Sequence, residues 1–218
     1  MIFDHNSPEY QKRWDTLSTG KFNGAYYYSC EIVRNIIPRV QTDRSWVTIN
    51  CVGMIAEHSI VFIHNNKTPQ RYSWIDGYHD LILVCGIPET MPKVRHIGHP
   101  IYLPLSVDVE EVERYRRPKD RDVCFAGRPE KRLNYRFPKG TKFVEGMPRE
   151  ELLAEMARYR KVYAVGRCAI EAKILGCEVL PYDSRFLDPD RWKIFDNKDA
   201  AALLQKKLDL IDGVKHEH

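Results

Sequence analysis

Apolar residues follow three rhythms along this chain of 218 residues. In AYYYSCEIVRNIIPRV, positions 25 to 40, Tyr28, Ile32, Val33, Ile36 and Ile37 recur at the spacing of one helix face until Pro38 stops the pattern. Three short continuous runs come next: WVTINCVG (46 to 53), SIVFIHNN (59 to 66) and LILVCGIPE (81 to 89). Each has strand length and ends at Gly, Asn or Pro, which predicts buried strands. IYLPLSVDV (101 to 109) then runs into the charged, proline-bearing EEVERYRRPKDRD, the sharpest change of composition in the chain. A domain boundary is expected near 110 to 120, giving units 1–112 and 113–218.

Beyond that break, short apolar runs and helical patterns alternate: strand VCFAG, short strand KFVEG, helix PREELLAEMARYR, strand VYAVG, helix CAIEAKILG, strand EVLPY and helix KDAAALLQKKLDLID. Such alternation predicts a parallel sheet covered by helices. For the helix over 148–160, Pro148 suits the first turn, Glu150 and Glu151 sit near the positive end of the dipole, and Arg158 and Arg160 near the negative end. Leu152, Leu153, Met156 and Tyr159 then form its buried face. The predicted fold is α/β, two small Rossmann-like lobes with mostly parallel sheets.

Composition changes this picture little. A hydrophobic fraction of 43% and a mean hydropathy of -0.48 suit a globular chain, and no apolar run approaches the roughly 20 residues of a membrane span. The first residues show no secretion signal, so a cytoplasmic location is expected. Six cysteines without a CxxC pair read as buried thiols rather than disulfides or zinc ligands. The net charge of +4 favours phosphate-bearing partners but falls well short of a nucleic-acid-binding stripe.

In open parallel sheets, ligands sit beyond the carboxyl ends of the strands, where helix N-termini favour anions. Three loops meet that description in the second half: Gly127 to Arg132, Glu145 to Pro148, and Gly166 to Ala172. Four segments here, LPLSVDV (103 to 109), FAGR (125 to 128), MPREELLAEMARYRKVYAV (147 to 165) and IEAKILGCEVLPYD (170 to 183), resemble motifs of GT-B glycosyltransferases of the large retaining family. The resemblance covers roughly residues 100 to 205.

The resemblance implies a metal-independent enzyme that moves a sugar from a nucleoside diphosphate, its donor substrate, to an acceptor, with no further cofactor. DNA and polysaccharide are the acceptor classes left open. Glu171 matches the carboxylate that accepts the donor's ribose hydroxyls, and Arg128 the diphosphate-binding arginine. Gly127 belongs to the same strand end, Lys131 or Arg132 fills the role of a nearby lysine, and Arg167 adds an anion contact. Eight residues before Glu171, where the family carries another acid, this chain has Tyr163.

In the first half, the loop with Gly20 and Lys21 stands where such enzymes present a glycine-rich turn. His64, at the end of its strand, is expected to orient the acceptor, and Glu89 is a second cleft residue. Gly20 and Lys21 do not make a phosphate-binding loop of the ATPase kind, because Phe22 replaces Ser or Thr. No GxGxxG follows a strand, which argues against a nicotinamide cofactor. A protein that binds or sequesters a nucleotide without catalysis remains the alternative, because of Tyr163.

Overall fold

The computed structural model describes residues 24–47, 57–63, 80–127, 132 and 135–215. The chain is α/β and forms two compact units, one of Met1–Leu105 with Asn197–His218, the other of Ser106–Asp196. Each holds a four-stranded, all-parallel sheet.

Unit 1 opens with helix α1 (Gly24–Glu31), which continues as a π-helical turn over Ile32–Ile36 and a 3-10 turn over Ile37–Arg39 that contains Pro38. Strands β1 (Ser45–Val47), β2 (Ser59–Ile63), β3 (Leu81–Cys85) and β4 (His99–Tyr102) lie side by side in chain order. The short helix α2 (Met91–Val94) joins the last two. Every residue of β2 and β3 is buried, the mark of a sheet covered on both faces. Val47, Val61, Ile63, Leu81, Leu83, Val94 and Ile97 pack as one core cluster.

The last helix of the chain, α6 (Asn197–Lys215), also belongs to unit 1. The expected division at 112/113 put this helix in the second lobe; the observed divisions fall at 105/106 and 196/197. Long-range polar contacts explain its position. Asn197 Nδ2 donates to buried Glu31 at 3.0 Å, Gln205 exchanges hydrogen bonds with the Gln41 backbone, and Arg44 Nη2 meets Asp212 at 2.6 Å.

The amino edge of the unit 1 sheet carries a charged network. Arg44, with a fully buried side chain, reaches both Asp80 before β3 and Asp212 on α6. Asp80 also meets His58 Nδ1 at 2.7 Å, and His58 Nε2 lies 3.0 Å from Asp43. Both imidazole nitrogens therefore face ionised carboxylates, which only accept, so this geometry requires the imidazolium. The hydrogen bond to Asp80 is the main reason the His58 pKa lies above its ordinary 6.5.

Unit 2 begins with helix α3 (Val109–Glu113), capped where the Glu111 amide donates to Asp108 at 2.9 Å. The charged stretch expected to hold the domain boundary thus starts as a helix of unit 2. Then follow β5 (Arg121–Ala126), β6 (Lys142–Val144), α4 (Arg149–Met156), β7 (Tyr159–Tyr163), α5 (Arg167–Ile174) and β8 (Glu178–Leu180). The strand order is β6-β5-β7-β8. Both helical crossovers move the chain in the same direction across the sheet, so their right-handedness puts α4 and α5 on one face.

Helix α4 is shorter than the predicted 148–160. Tyr159 and Arg160, placed in its last turn by sequence spacing, instead start β7 and pair with the beginning of β5. Tyr159 remains buried, now as a strand residue. Lys119 closes the helix ends: its Nζ donates to Ala157 O at 2.8 Å and Leu175 O at 2.7 Å, the residues that terminate α4 and α5. Leu153 and Met156 seal α4 against the sheet, each burial stabilising by about 1.5–3 kcal/mol.

Candidate functional site

In unit 2 the chain leaves β5 toward β6 on one side, then crosses back to β7 and β8 on the other. The crevice beyond the carboxyl ends of β5 and β7 is therefore a topological switch point, the usual ligand position in such sheets. Gly127 follows β5, the segment 145–148 follows β6, and 164–166 follows β7.

Helices α4 and α5 both start at this edge without a side-chain cap. Gly166, before α5, adopts φ 65° and ψ -138°, a conformation that costs any residue with a Cβ. The first residue of each helix is an arginine, Arg149 and Arg167, and both are buried at 9% and 8% exposure. A cation at the positive end of a helix is unfavourable unless anions surround it.

Glu171 supplies one. Its Oε1 accepts from Arg149 Nη2 at 3.2 Å and Nε at 3.4 Å, and lies 3.6 Å from Arg167 Nη2 one turn earlier on the same helix. Arg149 Nη1 donates to Glu111 on α3 as well. Two arginines and two glutamates thus form one connected, formally balanced group, with Glu171 only 4% exposed. Such an arrangement is held by mutual pairing, since Arg149, Arg167 or Glu171 left alone would bear the cost of a buried charge.

Of the residues singled out from sequence, Arg167 and Glu171 are brought together here. Arg167 is buried rather than a solvated charge at a helix start, and Glu171 is engaged by guanidinium groups on its inner side. Arg132 pairs with Glu145 at 2.9 Å and lies over the Phe143 ring at 4.4 Å, on the segment side of β6. Gly127 ends β5, where an added Cβ would come within 3.1 Å of the Phe125 ring. Glu89 sits exposed in a 3-10 turn after β3 of unit 1. Gly20, Lys21, His64, Arg128 and Lys131 lie outside the described residues.

Tyr163, where the resembling enzymes carry an acid, has an aromatic role. Strand register sets Phe143, Phe125 and Tyr163 in one row on one face of the sheet. Phe137 packs against all three, at ring distances of 5.6, 5.2 and 5.2 Å, and Tyr182 meets Phe125 at 5.2 Å. Burial and the neighbouring Tyr135 hold the Tyr163 hydroxyl above its usual pKa, so it stays neutral.

Sequence reasoning missed Arg149 and Glu111. Pro148-Arg149-Glu150-Glu151 reads as the exposed start of a surface helix. The signal was present, however: Arg149, like Arg167, is a cation at a helix start, where the dipole disfavours it. Cys85, Cys124 and Cys177 are buried thiols, and burial pushes the Cys85 thiol up to about 12. Among the described residues, no group of three or more His, Cys, Asp and Glu side chains is placed to hold a metal ion. Nor is any described helix long and apolar enough to cross a membrane. Comparison with protein-family models, with curated proteins and with solved structures returned no match.

Proposed function

We propose that unit 2 binds a nucleoside diphosphate sugar at its carboxyl edge, and that the protein is a metal-independent glycosyltransferase of the GT-B kind. The observation that carries this reading is the convergence of Arg149 and Arg167, buried first residues of two helices, on Glu171 at the switch point. Guanidinium forks match phosphate oxygens, and helix starts add backbone N–H groups.

In this reading an incoming diphosphate competes with Glu171 for the two guanidinium groups, and the carboxylate turns to the ribose hydroxyls. As the sugar leaves, negative charge grows on the terminal phosphate of the nucleotide. Arg149, Arg167 and the two helix starts are already oriented to stabilise it, which is the largest contribution a fixed site makes to such a step. The departing phosphate takes the acceptor's proton, so His64 serves to orient the acceptor. DNA and polysaccharide are the acceptor classes proposed, and the cytoplasm the compartment.

Tyr163 favours a second reading. Where the resembling enzymes hold a sugar-side acid, the neutral phenol sits in an aromatic cluster, which suits a protein that binds an intact nucleotide sugar without turning it over. Incubation with UDP- and GDP-sugars, with DNA or oligosaccharide added, separates the two. Release of nucleoside diphosphate, abolished in Arg167→Gln, is the result expected of the enzyme. Tight binding without release supports the binding protein, and no binding of either nucleotide overturns both.

A further inference from the structure

We propose that unit 2 carries a second ligand site, for a small organic oxyanion with a compact apolar body, in a cavity between β6, α4 and the starts of β5 and β7. The cavity has a volume of about 510 Å³. That is within the range of small-molecule pockets, roughly 300–1,000 Å³. It runs along β6, from Lys142 to Val144 and on to Met147, and reaches Arg121 and Tyr159, the first residues of β5 and β7; neither Arg149, Arg167 nor Glu171 lines it.

Two kinds of side chain meet there. Val144, Met147, Ala154 and Tyr159 give an apolar wall. Four cations, Arg117, Arg121, Lys142 and Arg158, face two carboxylates, Glu151 and Glu155. One carboxylate is heavily shared: Glu155 accepts from Arg121, from Arg158 at 3.5 Å and from the Tyr159 hydroxyl at 3.2 Å. Asp120, just before β5, takes the other face of Arg158 at 2.6 Å. Arg117 and Lys142 are exposed at the rim, and positive charge there exceeds what Glu151 balances. An apolar wall under a cationic rim selects a carboxylate or phosphate monoester carried on a ring or short chain.

The same helix serves both sites. Ala154 and Glu155 of α4 line the cavity, while Arg149 at its first position holds Glu171. The two sites are chemically separable: Met147 of the cavity belongs to the segment after β6, but the nucleotide reading uses none of the cavity's charged groups.

The test is calorimetric titration of the whole protein with phenyl phosphate, benzoate and inorganic phosphate, each repeated in saturating UDP. Phenyl phosphate or benzoate should bind with UDP present, at least tenfold more tightly than inorganic phosphate. Arg117→Gln with Lys142→Gln should weaken that binding tenfold or more, and Ala154→Phe, which fills the cavity and leaves its charges, should abolish it. UDP binding should be unchanged in all variants. Binding lost on adding UDP, binding insensitive to both variants, equal binding of inorganic phosphate, or no binding would each overturn the proposal. If UDP itself fails to bind, the titrations without it still decide this site.

Discussion

The two sheets are alike in size and direction but differ in strand order, and their buried charges sit at opposite edges. Unit 1 runs β1-β2-β3-β4, which gives its described strands no reversal and no crevice. Its Arg44, Asp80, His58 and Asp43 gather at the amino ends of the strands, where they tie α6 to the sheet. Unit 2 runs β6-β5-β7-β8, reverses between β5 and β7, and gathers Arg149, Arg167 and Glu171 at the carboxyl ends. Buried guanidinium groups thus occupy different places in the two units: position relative to the strand order, rather than burial, separates the structural brace of unit 1 from the proposed ligand site of unit 2.

The comparison breaks most visibly at Arg44. Arg44→Met leaves Asp212 without its cation and Asp80 with His58 alone, and should destabilise unit 1 by about 3–5 kcal/mol in urea unfolding, with UDP affinity per folded molecule unchanged. Arg149→Met is expected to cost less, about 3 kcal/mol, because Arg167 still accompanies Glu171; unlike Arg44→Met, it should weaken UDP binding at least tenfold. Equal effects of the two variants on UDP affinity would erase the distinction between the edges.

Lys119→Met sharpens the comparison within one unit. It removes the donor shared by the ends of α4 and α5 at the amino edge, for an expected loss of about 1.5–3 kcal/mol by chemical unfolding. Binding of UDP to the folded protein should not change.

The smallest effect is a slope. His58 has a raised folded pKa, so its contribution is complete below about pH 6.5 and disappears as pH rises through the folded value. Between pH 5.5 and 9 the melting temperature of the wild type should fall relative to that of His58→Asn. Asparagine accepts the left-handed backbone of this position, φ 61°, so the variant isolates the imidazolium. Parallel pH profiles would remove His58 from the brace.

The apolar runs made the sheets legible: SIVFI and LILVC are buried throughout, as continuous strand-length runs predict. Glu171 was singled out through a resemblance of its segment and not from its place on the helix, whereas helix α5 itself was legible too. The end of α4 was not. Leu152, Leu153, Met156 and Tyr159 continue a helical stripe, and only pairing with β5 and the distant Lys119 turns Tyr159 into a strand residue. The home of α6 was equally hidden, since its partners Glu31, Gln41 and Arg44 lie more than 160 positions away. At Arg149 the conflict with the helix dipole was in the sequence, but its pairing with Glu171 was not.

The central claim is that the carboxyl edge of unit 2 holds a diphosphate through Arg149, Arg167 and Glu171. Titration of Glu171→Gln with UDP, uridine and pyrophosphate tests it most directly. Losing the ribose acceptor while releasing both arginines should abolish uridine binding, weaken UDP binding and leave pyrophosphate bound at least as tightly as in the wild type. Equal weakening of all three ligands, or wild-type affinity for UDP and uridine, would contradict the account.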